Sequence, residues 1–185
     1  MLLELFTFDL VANIEAKHFR VGLCSVSDLF PLAECARHIW VRYYPQIIGM
    51  PQVIYMLNRM YQIKTLLQRM EAGHIFLKVL LPADCFCGFA ELETPNTGTA
   101  FLHKFYIRLH LRGSGLAEQL MKAVENEASS RGAYSLQLNV NRSNHAAIRF
   151  YLKQGFSIIH SLDVDIGGGF YMNDYRMEKP LKVSI

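Results

Sequence analysis

Charge is scarce in this sequence: Asp, Glu, Lys and Arg make up 19% of 185 residues, and the net charge is only +3. The basic residues are scattered, which excludes the electrostatic footprint expected of a nucleic-acid binder. Long apolar runs are also missing. The longest, residues 75–82, carries Lys78 and falls far short of the roughly 20 residues that span a bilayer. The apolar residues 1–10 lack a basic n-region, and no small-residue cleavage site follows, so no secretory signal is expected and the chain reads as cytoplasmic. Cysteine is sparse. Cys85 and Cys87 have no second pair at metal-ligand spacing, so no metal site is expected, and on an extended segment the two would share a face as small hydrophobes.

Apolar residues, by contrast, make up 51% of the chain, enough for a real core in one domain. That domain is read as the whole chain, with its core at about residues 19–179 and an N-terminal extension at 1–18. Residues 19–24 read as a short strand, and Ser27-Asp28 as the N-cap of a helix that ends before Pro45. A second helical stretch covers about residues 51–70, with a break near Ile63-Lys64. The period then turns extended. Strands are expected at 74–80, 87–93 and 101–107, with a strong turn at 95–98. Gly113-Ser114-Gly115 then opens a helix through Arg131. The alternation of Tyr134, Leu136, Leu138 and Val140 marks a strand, Asn144 caps a helix ended by Gly155, and residues 157–165 and 170–178 close the fold. The order implies a mixed α/β (α+β) sheet in one domain.

The strand, glycine turn and helix start around Gly113 form an anion site by their backbone alone. First-turn N–H groups lack internal partners, the helix dipole favours negative charge there, and Gly113 and Gly115 admit a phosphate closely. Arg112 adds a charged donor at the mouth. The third glycine of a dinucleotide fingerprint and the Gly-Lys-Ser/Thr of a P-loop are both missing.

Arg112-Gly113-Ser114-Gly115-Leu116-Ala117 resembles the Arg/Gln-x-x-Gly-x-Gly/Ala motif of the GNAT acetyltransferase superfamily. Asn144-His145-Ala146-Ala147-Ile148-Arg149-Phe150-Tyr151, running on to Gly155-Phe156, is similar to its Asn-x-x-Ala-x-x-Phe-Tyr-x-x-x-Gly-Phe segment. Residues 40–61 and 169–175 most resemble bacterial members grouped with polyamine and small-amine acetyltransferases. The resemblance implies a mostly antiparallel sheet of about six or seven strands flanked by about four helices, with acetyl-CoA held between two splayed strands.

Carried over residue by residue, it implies that the backbone of Phe105, Tyr106 and Ile107 binds pantetheine. Donors from Arg112, Gly113, Ser114, Gly115, Leu116 and Ala117 would hold the pyrophosphate. Asn144 would reach the pantetheine arm, serve as a plain N-cap, or do both. Lys153 would approach a phosphate or simply end its helix in solvent. Tyr151 falls on the position of the general acid that protonates the leaving thiolate. Many members carry a general-base Glu where this chain has Phe101. His103, taken to share a strand face with Phe101, Phe105 and Ile107, resembles the base of arylalkylamine acetyltransferases. Glu91 and Glu93 are alternative bases or amine-binding carboxylates.

The implied acceptor is a small-molecule amine, with Trp40, Tyr44, Glu91 and Asp174 as candidate pocket residues beside Tyr43, Tyr55 and Tyr61. A protein acetyltransferase and a non-catalytic acyl-CoA-binding module stand as alternatives. Neither a nucleic acid nor a membrane is expected as a partner, and the chain is read as a monomer or homodimer.

Overall fold

The computed structural model describes residues 19–94 and 98–182. The extension read at 1–18 and most of the turn read at 95–98 lie outside the described residues. The elements run β1 (Arg20–Leu23), α1 (Leu29–Tyr43), α2 (Pro45–Ile48), α3 (Met50–Met60), α4 (Ile63–Glu71), β2 (Ile75–Leu81), β3 (Cys85–Glu93) and β4 (Thr99–Ile107). They continue with α5 (Leu116–Ser130), β5 (Ser135–Asn141), α6 (His145–Lys153), β6 (Ser157–Gly167) and β7 (Phe170–Pro180).

Among the described residues six α-helices stand where about four were expected, and the excess lies between β1 and β2. Pro45 ends α1 but also starts α2, because proline is tolerated in a helix's first turn. Gly49, at φ +78°, separates α2 from α3, and extended Gln62 separates α3 from α4.

The seven strands form one sheet in the order β1-β2-β3-β4-β5-β7-β6. Every pairing is antiparallel except β4 with β5. That parallel pairing runs only from Thr99↔Ser135 to Leu102↔Leu138, after which the two strands part. One core fills the face under α5, around Leu116, Leu120, Val124, Leu136 and Leu138. A second fills the other face, where Leu32, Ile39, Val53 and Leu66 of the early helices meet Phe76 and Phe89.

Two bulges correct the period-two reading of the strands. On β3, Val79 pairs with Gly88 but Leu80 with Phe86, so Cys87 is the inserted residue. It is buried in the first core while Cys85 is exposed, so only one of the two packs as a small hydrophobe. On β4, Glu91 pairs with Lys104 but Leu92 with Leu102, so His103 is inserted. Ala100 and Leu102 therefore join Phe105 and Ile107 in the first core, with Lys104 and Tyr106 turned toward the second. His103 does not share a face with Phe105 and Ile107 as strict alternation predicts.

Candidate active site

The parting of β4 and β5 opens a cavity of about 360 Å³. Phe105, Tyr106 and Ile107 line it from one strand, Asn139, Val140 and Asn141 from the other. Strands that diverge cannot satisfy each other's backbone groups, so N–H and C=O groups on both walls are left for an extended polar ligand.

At one end of the cavity the chain makes the glycine turn. Gly113 and Gly115 hold φ +81° and +87°, and a Cβ built on either meets no atom within 4 Å. Gly115 is the N-cap of α5, and no side chain caps the helix. Its first N–H groups therefore face open space at the positive end of the helix dipole. The Ser114 hydroxyl donates to the Leu111 carbonyl at 2.7 Å, fixing the turn, and Leu116 is buried beneath it. Arg112 lines the cavity with its guanidinium 4.0 Å from the Tyr43 ring centroid. These features fit a pyrophosphate: they supply donors, positive charge and no obstructing side chain.

Asn144 is the N-cap expected of it and makes a second bond that was not expected. Its Oδ1 accepts the Ala147 N–H as N-cap of α6 (3.3 Å) and the Tyr43 hydroxyl across the cavity (2.9 Å). Tyr151, two turns on, is 8% exposed and packs against Phe105, Phe150 and Phe156 while lining the cavity. Burial pushes its phenol well above the ordinary range. Lys153, by contrast, is exposed at the end of α6 and does not line the cavity.

The opposite end is aromatic and sulfur-rich. Trp40 stacks on Tyr44 at 4.5 Å between ring centroids, and Met56, Met60 and Met172 close the wall. Burial raises both Tyr44 and Tyr106, keeping these hydroxyls neutral. Asp174 of β7 brings a carboxylate into this lining. Burial lifts its pKa to about 6 against the opposing charge of Arg142.

His103 also reaches the cavity, and its Nε2 lies 2.6 Å from Glu93 Oε2. With that carboxylate ionised, Nε2–H donates and Nδ1 carries the lone pair. Burial holds the imidazole below its ordinary range despite the carboxylate, whose own pKa the histidine lowers.

Glu91 is not brought to the cavity. It is fully buried on β3, where it pairs with buried Lys104, with Arg69 Nη1 at 2.8 Å and with His74 Nδ1 at 2.8 Å. Its charge is spent in this network, which corrects its reading as an acceptor-binding group. Burial lowers Lys104 to about 8 although Glu91 opposes the shift. Sequence reading missed Gln52, Met56 and Met60, whose spacing signals only an amphipathic helix, and Met172 on β7.

A helix N-terminus facing a cleft between diverging strands is a site for an extended anionic ligand, and comparison names the family. Residues 33–156 match the Acetyltransferase (GNAT) family, and the chain belongs to it. GNAT acetyltransferases use acetyl-CoA. An uncharacterized N-acetyltransferase of Mycobacterium tuberculosis (strain ATCC 25618 / H37Rv) is 35% identical over 94 residues, 51% of this chain. The match spans 60% of that relative's length. Among solved structures, PaiA N-acetyltransferase from Thermoplasma acidophilum in complex with coenzyme A aligns with a TM-score of 0.75. Its identity is 24%, and the alignment covers 88% of this chain and 99% of that one. The ribosomal-protein-S18-alanine N-acetyltransferase from Escherichia coli aligns with a TM-score of 0.67 at 19% identity, covering 91% and 97%. These likenesses show the fold. Among the described residues, no helix is long and apolar enough to cross a membrane.

Proposed function

We propose that the chain is an acetyl-CoA-dependent N-acetyltransferase that acetylates a small primary amine or polyamine by direct attack in a ternary complex. One observation carries this reading: a single cavity is lined by the glycine turn, by Tyr151 and by the desolvated carboxylate of Asp174. The PaiA structure, which has the same fold and holds coenzyme A, supports coenzyme A as the ligand.

Bound acetyl-CoA supplies an activated acetyl thioester. The N–H groups at the start of α5 and Arg112 hold its pyrophosphate, and the free backbone groups of Phe105, Tyr106 and Ile107 align the pantetheine arm. Asp174 attracts the alkylammonium, whose chain lies against Trp40, Tyr44 and the methionines. His103 Nδ1, fixed by the Nε2–H bond to Glu93, takes the ammonium proton directly or through water. The Tyr151 hydroxyl protonates the departing sulfur.

A panel of amines tests this. Free-thiol release from acetyl-CoA should be saturable with small alkylamines and polyamines and weak with peptides. Turnover on peptide N-termini alone would replace the acceptor class, and no turnover with stoichiometric coenzyme A binding would leave a non-catalytic acyl-CoA-binding module.

A further inference from the structure

Behind the cavity wall, His74, Glu93 and His103 each offer one ligand atom, and the three atoms lie within 4.8 Å of one another. The two imidazoles stand 5.1 Å apart between ring centroids at 39°. They come from different elements: His74 from the turn before β2, Glu93 from the end of β3, and His103 from the bulge on β4. Phe101 pairs with Glu93 across the sheet, and the His103 ring lies 4.7 Å from that of Phe101 between centroids.

We propose that His74, Glu93 and His103 form a binding site for a divalent transition-metal ion of the zinc type, and that an ion held there switches off proton transfer by His103. The second half rests on the base assignment made above.

Three protein donors with a fourth position open to solvent or ligand make the familiar set of an exchangeable zinc site, two imidazoles and one carboxylate. All three side chains are partly exposed, so an ion has a route in. Tetrahedral coordination at ordinary metal–ligand lengths sets donor atoms about 3.3 Å apart. The His103–Glu93 contact of 2.6 Å must open slightly, and His74 must close on them. In the metal-free protein the Nε2–H of His103 occupies the place between Glu93 and His103.

A second shell is already built for His74. Its Nδ1 lies 2.8 Å from Glu91 Oε1, yet both atoms are buried without an aligned hydrogen bond. Metal on the other ring nitrogen would fix the ring and turn Nδ1–H onto that carboxylate, the carboxylate–histidine–metal arrangement that strengthens such ligands. The charges nearby choose the ion. Arg69 and Lys104 already offset Glu91, leaving little net attraction for a hard cation that binds through oxygen. Nitrogen donors favour zinc or cobalt over magnesium or calcium.

Inhibition follows from the tautomer. Metal on His103 Nε2 moves the ring proton to Nδ1, and the lone pair that faces the acceptor's proton is lost. Glu93 is consumed at the same time.

The test uses the full chain stripped of metal. Calorimetric titration with zinc should show one ion bound per chain, and cobalt should give the visible bands of a tetrahedral site. Magnesium should give neither. His74→Gln and Glu93→Gln should each weaken zinc uptake by at least about tenfold. Zinc at filling concentrations should suppress amide formation by the wild type, followed by chromatography because zinc sequesters free thiol. His74→Gln should keep metal-free turnover and resist that inhibition.

No stoichiometric uptake by the wild type overturns the site. So does uptake abolished by replacing exposed Cys85 with Ser rather than by His74→Gln. Zinc bound without loss of turnover overturns the switch. The binding arm needs no turnover, so a fully active metal-free His103→Gln enzyme would refute the base assignment separately.

Discussion

The Tyr43 hydroxyl donates to Asn144 Oδ1 at 2.9 Å, joining the end of α1 to the start of α6 across 101 residues of sequence. The same Tyr43 ring lies beneath Arg112, so one aromatic side chain steadies both a charged donor at the cofactor mouth and the cap of the helix that carries Tyr151. Asn144 thereby accepts two hydrogen bonds on one oxygen, which leaves its amide N–H groups to face the cavity.

Replacing Tyr43 with Phe removes the bond to Asn144 but keeps the ring under Arg112. A hydrogen bond of this kind contributes about 0.5–1.5 kcal/mol, so coenzyme A affinity should fall by about 2- to 12-fold. Tyr43→Ala should cost more, because the cation–π contact goes too. Titration calorimetry of the two variants orders the effects, and equal losses would assign the whole effect to the hydroxyl.

The glycine turn predicts a backbone-dependent cofactor response. Coenzyme A at 100 times its dissociation constant should stabilise the wild type by about 2.7 kcal/mol, read as a rise in Tm. Gly115 sits at φ +87°, so Val there is strained as well as obstructive. Gly115→Asn tolerates that conformation and tests obstruction alone. Both variants should lose most of the shift, and a folded Asn variant with the full shift would remove the cradle assignment.

Asp174 gives the pH dependence. Its native pKa, raised to about 6 by burial, lies above the unfolded value near 3.8, and Arg142 is the charged group that opposes the shift. The native state therefore holds this proton more tightly than the unfolded chain. The resulting stabilisation is complete below the unfolded pKa and is lost as pH rises through about 6. Above that pH, Asp174→Asn should raise the Tm of the unliganded protein. Acceptor binding runs the other way, since only the carboxylate attracts an ammonium. KM for an alkylamine should fall as pH rises from 5 to 7, and Asp174→Asn should flatten that trend at a higher KM.

Glu91 and Asp174 are both buried carboxylates, and mutagenesis separates their duties. Glu91→Gln leaves buried Lys104 without its countercharge, a loss of about 3–5 kcal/mol, while acceptor KM should hardly move. Chemical denaturation and steady-state kinetics on one preparation check both halves. A stable Glu91→Gln protein with a raised KM would return Glu91 to the acceptor site.

The contrast also shows why some of the site was legible and some was not. Gly113, Asn144 and Tyr151 belong to local motifs whose geometry follows from neighbouring residues, and all three line the cavity. The splay of β4 from β5 was foreseen by resemblance. What failed was inference through alternation, because a one-residue bulge reverses it: His103 parted from the face of Phe105 and Ile107. Glu91 was misplaced for a different reason. Nothing local in its strand announces that Arg69, His74 and Lys104 will converge on it from elsewhere in the fold. The same long-range blindness hid the pairing of Tyr43 with Asn144.

Tyr151 carries the sharpest prediction. Tyr151→Phe removes one hydroxyl and keeps the ring that packs against Phe105, Phe150 and Phe156, so stability should change little. Burial raises the phenol, which weakens it as an acid in absolute terms. The same dry surroundings raise the departing thiol, and a thiolate that cannot reach water gains most from a donor already in place. A positioned general acid contributes about 10²–10⁴-fold, so kcat should fall by that factor with coenzyme A affinity nearly unchanged. An acetyl donor with a more acidic leaving thiol should narrow the gap between variant and wild type, because its thiolate departs with less help. Single-turnover measurements isolate the chemical step from product release. A Phe variant with wild-type single-turnover rates would reduce Tyr151 to a packing residue and leave the thiolate to be protonated by water.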